Sequence, residues 1–259
     1  MSKLDDAVPW VDGLTVGEVL RTTANRFPDH DAVAFPALDL RWTWKELDDR
    51  VDRVAESLIA LGVSKGEHVG IWSMNAPEWI VTQFAVARIG SVLVNVNPAY
   101  RLHELEDTLK QADVATLIVG LPFKTSNFVG MVEAIVPEVV AAEPGDWRSS
   151  TLPELRRVIA IGDRPGPGWL SWTDLETRPD QDVARAERER STRSDEVFNI
   201  QFTSGTTGMP KGAMLTHRNI LMNAYYIGQR VRYTERDRVC VPVPFYHCFG
   251  CVLGTTVCA

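Results

Sequence analysis

HVGIWSMNAPEWIVTQFAVARIGSVLVNV, residues 68–96, is the stretch whose reading decides the fold. Two short apolar runs, His68–Trp72 and Ser91–Val96, flank a helical pattern from Glu78 to Ile89. Asn75 and Pro77 mark the turn between the first run and the helix, and Gly90 precedes the second run. A strand covered on both faces reads as a continuous apolar run instead of an alternation, so this unit is strand, helix, strand. Downstream the unit recurs. Leu102–Gln111 predicts a helix, Ala115–Val119 a buried strand, Ser126–Val140 a helix and Arg157–Ile161 a closing strand. Short apolar runs alternating with helices predict an α/β fold, a mostly parallel sheet with helices on both faces joined by right-handed crossovers.

Upstream, Leu47, Val51, Val54, Leu58 and Leu61 recur every three to four residues. Thr43 and Glu46 have capping-box spacing, and Gly62 stands ready as the stop. Between Pro179 and Glu196 the composition shifts to Asp, Arg, Glu, Ser and Thr with Val183 as the one large aliphatic, which predicts an exposed connector. Val197–Phe202 then predicts a strand, a Gly-rich loop follows, and Thr216–Arg230 predicts a helix. The expected organisation is a segment 1–65 belonging to a neighbouring subdomain, an α/β subdomain 66–235 with a phosphate loop at 203–213, and the start of a second α/β subdomain at 236–259.

At 259 residues and 45% hydrophobic, the chain has apolar material for one large core or two smaller ones. A net charge of −7 and a pI near 5.3 argue against a nucleic-acid protein, since phosphate backbones are bound by clustered Lys and Arg. The start, Met1 to Asp6, has no basic region followed by an apolar core. No run approaches the roughly 18 apolar residues that span a bilayer, so a soluble, cytoplasmic protein is expected. Cys240, Cys248, Cys251 and Cys258 cluster near the end, unlike a disulfide framework, which fits a reducing compartment. With His247 they could be drawn as a zinc cluster. There is a single Cys-x-x-Cys, however, and its loop is apolar, which favours small buried hydrophobes.

The chemistry concentrates in Thr203-Ser-Gly-Thr-Thr-Gly-Met-Pro-Lys-Gly-Ala213. Gly205 and Gly208 permit positive φ and close approach of a ligand, while Thr203, Ser204, Thr206 and Thr207 offer hydroxyls and N–H groups to phosphate oxygens. Lys211 adds a mobile point charge suited to β- and γ-phosphates. Pro210 before and Gly212 after Lys211 exclude the P-loop of ATPases and GTPases, which needs Gly-Lys followed by Ser or Thr. A dinucleotide-binding dehydrogenase fails on the absence of Gly-x-Gly-x-x-Gly after the first strand. His217 is expected to cap or pack rather than to bind phosphate, and His68 and His103 have no evident partners.

Thr203–Ala213 closely resembles the signature loop of the adenylate-forming superfamily of acyl-CoA synthetases, luciferases and nonribosomal adenylation domains. Lys211–Asn219 continues the pattern, and Pro244-Phe-Tyr-His-Cys-Phe-Gly250 resembles its next motif. Trp42–Leu61, Asn75–Trp79 and Gly90–Pro98 are similar to the early part of these ligases. The resemblance implies the N-terminal part of the family's large domain, with ATP, Mg²⁺ and coenzyme A as cofactor and co-substrates. It implies that Thr203 helps to hold Mg²⁺, that Ser204, Gly205, Thr206, Thr207 and Gly208 wrap the phosphates, and that Lys211 neutralises pyrophosphate. His247 would lie near the acyl carboxylate and the α-phosphate, and Tyr246 would border the acyl tunnel. A fatty acid of medium or long chain is the implied substrate, with aryl-acid ligases the nearest enzyme alternative and a non-catalytic nucleotide-, acyl- or partner-binding module the other.

The family's later acidic motif, adenine pocket, ribose-binding Asp, hinge and C-terminal lysine have no counterpart before Ala259. The chain alone is therefore expected to be inactive as a ligase. Thr216–Ala259 is expected to expose apolar side chains such as Val252 and Leu253 and to favour self-association.

Overall fold

Every strand expected between residues 68 and 161 forms within a residue of its predicted bounds in the computed structural model, which describes residues 8–177, 181–203 and 210–259. The strands are β3 (His68–Trp72), β4 (Val92–Val96), β5 (Thr116–Val119) and β6 (Arg157–Ala160). Ahead of them, β1 (Asp31–Phe35) and β2 (Leu40–Thr43) form a small antiparallel hairpin. After them come β7 (Leu170–Ser171), β8 (Val197–Thr203) and β9 (Lys211–Thr216). Among the described residues the main sheet has the order β7-β6-β5-β3-β4-β8-β9. All pairs are parallel except β8 with β9. The chain steps from β3 to β4 on one side and then back to β5, β6 and β7 on the other, so the strand order reverses at this point. In open α/β sheets a crevice for ligand lies outside the carboxyl ends at such a reversal.

Helices cover both faces because each strand is apolar on both. Val69, Ile71, Leu93, Ile118 and Ile159 join one core, while Trp72, Val92, Val94, Leu117, Val119 and Val158 join the other, alternating along each strand. The first face carries α1 (Val16–Arg26), α2 (Trp44–Ala60) and α3 (Pro77–Arg88). The second carries α4 (Leu102–Gln111) and α5 (Phe128–Ile135). In α3 every residue but Glu78 is buried, as expected of a helix apolar all round. Capping boxes start α1 at Thr15 with Glu18 and α2 at Thr43 with Glu46, each satisfying amides that have no partner within the helix. Gly62, at φ +80, ends the turn after α2 in a conformation that a side chain disfavours. Helices α1 and α2 come from the segment read as part of a neighbouring subdomain, and they pack directly into this core.

Four sequence expectations meet a different structure. The helix expected over Ser126–Val140 stops at Ile135 and resumes as a 3₁₀ turn, Pro137–Val140. Pro137 has no N–H to continue the ladder and pushes Val136 out of the helical region, to φ −127 and ψ 72. The polar stretch after Pro179 holds a helix, α7 (Asp182–Ser191), beyond a short α6 (Trp172–Glu176). Arg178, Pro179 and Asp180 lie outside the described residues. Arg185 of α7 is buried, and the helix is held by charge instead of apolar surface. Arg185 pairs with Glu56 at 3.0 Å and Asp52 at 3.2 Å. Arg88, wholly buried, pairs with Asp48 and Asp52 at 2.6 Å each, and Arg21 bridges the same two carboxylates. Burial alone would raise the Asp52 pKa, but the Arg21 hydrogen bond and the charges of Arg88, Arg21 and Arg185 outweigh it and hold it below the usual carboxylate range.

The third difference is β9, since Lys211–Ala213, read as loop, pairs with the end of β8. The fourth concerns Val252, expected to be exposed. It is buried, with Leu253 packed partly beside it, because Phe249–Thr255 forms a π-helical turn against α8 (His217–Val231). The exposed apolar side chains of that stretch are Tyr226, Val231, Tyr233 and Phe249.

Candidate active site

Strand β8 ends at Thr203 and β9 begins at Lys211, directly across from it in the antiparallel register. The Thr203 hydroxyl donates to the Lys211 carbonyl at 3.4 Å. The two residues thus stand at the mouth of the Gly-rich string, at the carboxyl end of the parallel sheet. Both are exposed. Ser204, Gly205, Thr206, Thr207 and Gly208, expected to wrap phosphates, lie outside the described residues. Gly212 packs where an added Cβ would stand 2.9 Å from the Ile200 side chain, so β9 needs glycine to lie close on β8.

Tyr246 and His247 lie on a loop that returns to the same sheet edge. Phe245 anchors it, buried, with its ring 5.5 Å from that of Trp79. Asn75, just past β3, grips the loop's backbone twice: its Nδ2 donates to Val243 O at 2.9 Å, and its Oδ1 accepts from the Phe245 amide at 2.7 Å. Asn95 of β4 donates to Tyr246 O at 3.1 Å. Gly250 is required by the tightness of the return, because an added Cβ would stand 2.2 Å from Pro244 O.

His247 is exposed, and its Nδ1 accepts the Phe249 amide at 3.2 Å. In the neutral ring the proton therefore sits on Nε2. Cys248 Sγ lies 3.5 Å from the same Nδ1. The Tyr246 and His247 rings meet edge to face at 6.5 Å. Tyr100, close enough for its charge to be felt by Tyr246, has a raised pKa caused first by burial and then by Tyr246 and Glu104. The structure thus brings Tyr246 and His247 to β4, the neighbour of the strand that ends in Thr203. A cavity of about 340 Å³ lined by Leu61, Arg148, Arg157 and Gly168 lies at the opposite, amino-terminal end of β6 and contains none of these residues.

His217 packs, as expected. It is buried, stacks on Phe198 at 4.9 Å, and its Nδ1 accepts the Val16 amide at the start of α1 at 3.1 Å. The residues that sequence reasoning missed are the carboxamides Asn75, Gln83, Asn95 and Asn199. Asn95 and Asn199 did carry a signal: Asn95 is the single polar residue of Val-Leu-Val-Asn-Val, Asn199 interrupts the apolar run Val-Phe-Asn-Ile, and a buried polar group demands a partner.

The fold is α/β, and Thr203, Lys211, Tyr246 and His247, the described residues of the candidate site, lie outside the carboxyl ends of its mostly parallel sheet. The sequence pattern of the AMP-binding enzyme family matches residues 20–259, and the chain belongs to that family. It is 43% identical over 246 residues to “Putative acyl-CoA synthetase YngI” of Bacillus subtilis (strain 168), covering 94% of this chain and 45% of that protein. It is 40% identical over 252 residues to the mitochondrial medium-chain acyl-CoA ligase ACSF2 of Homo sapiens, covering 94% of this chain and 41% of that protein. A crystal structure described as a “putative long-chain-fatty-acid CoA ligase” from Rhodopseudomonas palustris CGA009 superposes with a TM-score of 0.76 at 26% identity, over 96% of this chain and 56% of that one. The chain spans less than half the length of these two curated relatives and fits the N-terminal half of the acyl-CoA synthetases.

Proposed function

We propose that this chain forms the phosphate- and carboxylate-binding side of an ATP-dependent fatty acid:coenzyme A ligase. The acid's carboxylate oxygen attacks the α-phosphorus of ATP and pyrophosphate leaves. The thiol of coenzyme A then attacks the carbonyl of the acyl-adenylate and AMP leaves. Lys211 neutralises charge on the departing pyrophosphate, Ser204 through Gly208 surround its oxygens, and His247 meets the carboxylate and the α-phosphate beside Tyr246. The protein's part is in-line positioning and charge stabilisation.

The observation that carries the reading is the joint placement of Thr203 and Lys211 at the mouth of the Gly-rich string, beside the strand that holds Tyr246 and His247. Among the described residues no carboxylate pairs with Lys211, which leaves its charge available to a phosphate.

Magnesium is a weaker fit. Thr203 Oγ1 is a single neutral oxygen bonded to the Lys211 carbonyl, and among the described residues no three His, Cys, Asp or Glu gather into a site. A hard dication takes several oxygens, so these residues alone do not form its site and no step is derived through it.

The test is fatty-acid-dependent pyrophosphate release by the full-length gene product, with the acyl-adenylate trapped by hydroxylamine. Lys211→Ala should lower turnover by about 100-fold, the scale of losing one charge-stabilising group. Wild-type protein that releases no pyrophosphate with any fatty acid, or a Lys211→Ala protein with unchanged turnover, would overturn the assignment.

A further inference from the structure

Three polar side chains run in line beneath the candidate site and end on a backbone carbonyl. Gln201 Nε2 donates to Asn199 Oδ1 at 2.8 Å, Asn199 Nδ2 donates to Asn95 Oδ1 at 2.9 Å, and Asn95 Nδ2 donates to Tyr246 O at 3.1 Å. The second Asn199 hydrogen goes to Leu93 O at 3.0 Å. Asn199 is wholly buried and Asn95 nearly so. Asn199, Gln201 and Thr203 alternate along β8 and so share one of its faces. β4 and β8 are in register there, with Leu93 opposite Asn199 and Asn95 opposite Gln201.

Two features separate this chain of amides from ordinary satisfaction of buried polar groups. Every dipole points the same way, from Gln201 toward the Tyr246 carbonyl, so each bond polarises the next. The chain also joins two segments far apart in sequence, the strand that leads into Thr203 and the loop that carries His247. The far side of that loop is fixed by a further carboxamide. Gln83 Nε2 donates to Cys251 O at 3.2 Å and Thr256 Oγ1 at 2.9 Å, and its Oε1 accepts from Thr255 Oγ1 at 2.7 Å. Valine or leucine at 95 and 199 would suit a doubly covered strand better for burial alone, since an amide taken out of water is costly unless it is bonded.

We propose that Asn199 and Asn95 are positioning residues: their aligned amides tie the strand that ends in Thr203 to the backbone of Tyr246, and so hold the His247 ring in register with Thr203. This rests on the ligase reading for its purpose, but the coupling itself does not need it. When β8 shifts, Asn199 carries Asn95 and the Tyr246 carbonyl with it. The two halves of the site then move as one body.

The test follows the His247 loop in the chain labelled with ¹⁵N, without ATP or acid. One readout is the ring tautomer of His247, held as Nε2–H by the Phe249 amide. The other is hydrogen exchange at the amides of Phe249 and Cys251, the second of which bonds His247 O at 2.9 Å. Asn199→Ala touches neither Tyr246 nor His247, yet it should mix the tautomers and speed exchange at both amides by about tenfold, the worth of one buried hydrogen bond. Gln201→Leu removes only the outermost link, at a half-buried position, and should act in the same direction more weakly. It serves if Asn199→Ala does not fold. Asn127→Ala, which removes the cap of α5, controls for general loss of stability and should change neither readout.

If Asn199→Ala or Gln201→Leu lowers the unfolding midpoint while His247 and the two amides behave as in the wild type, the amides are merely structural and the proposal falls. Absence of ligase turnover would remove the proposed function and leave these readouts unaffected.

Discussion

Lowering the pH from 7 to 5 should weaken the fold through one buried ring, His217. Its Nδ1 accepts the Val16 amide at 3.1 Å, so a proton there would set two N–H groups against each other. Burial, aided by the positive charge of Lys65, pushes its pKa down to about 4. In the unfolded chain the same imidazole titrates near 6.5. Below pH 6.5 the unfolded state takes up a proton that the folded state refuses, so stability is fully present above about 6.5 and falls as the pH drops toward 4. At about 1.4 kcal/mol per pH unit, the span from 6.5 to 4 amounts to about 3 kcal/mol, of which about 2 kcal/mol is lost by pH 5. Urea unfolding followed by tryptophan fluorescence measures this, since eight tryptophans report on the fold. The comparison is His217→Asn, whose Oδ1 can accept the Val16 amide without titrating. Groups common to both proteins cancel in the difference, which should change by about 2 kcal/mol between pH 7 and pH 5. Parallel stability curves for the two proteins over that range would refute the reasoning.

Arg88→Met should destabilise the chain by about 3–5 kcal/mol in the same urea assay, because it leaves the buried Asp48 and the half-buried Asp52 without the wholly buried cation that pairs both at 2.6 Å. A loss below 1 kcal/mol would mean that Arg21 and Arg185 suffice to hold those carboxylates. Thiol labelling at pH 8 should divide the four cysteines into two pairs. Cys240 and Cys248 are exposed and should react at once; the buried Cys251 thiol, pushed up to about 12, should react only on unfolding, and the half-buried Cys258 thiol, pushed up to about 11, should react far more slowly than the exposed pair. Four fast thiols in the native protein would contradict the packing of the π-helical turn on the sheet.

The parts of the fold legible in the sequence are those specified by neighbours in the chain. The Thr43–Glu46 capping box is a three-residue relation, and it forms as read. Strands β3 to β6 are continuous apolar runs that have nowhere to go but a doubly covered sheet. Pro137 was equally visible, yet the apolar content of Ser126–Val140 masked its power to end α5. Helix α7 was missed for the opposite reason. Its stretch is almost wholly polar, and what holds it is Arg185 against Asp52 and Glu56, more than 120 residues earlier in the chain.

The sequence by itself determined the α/β class, the family and the string Thr203–Ala213, because each depends on a local order of residue types that no distant contact can change. Tertiary structure alone decided how the site is held. That His217 caps α1, that Arg88 gathers two carboxylates, and that Asn199 reaches Tyr246 through Asn95 are relations between residues 36 to 201 positions apart. The physical reason is common to all three. A polar group taken out of water must find its partner wherever the fold places one, and only the packed chain specifies where that is.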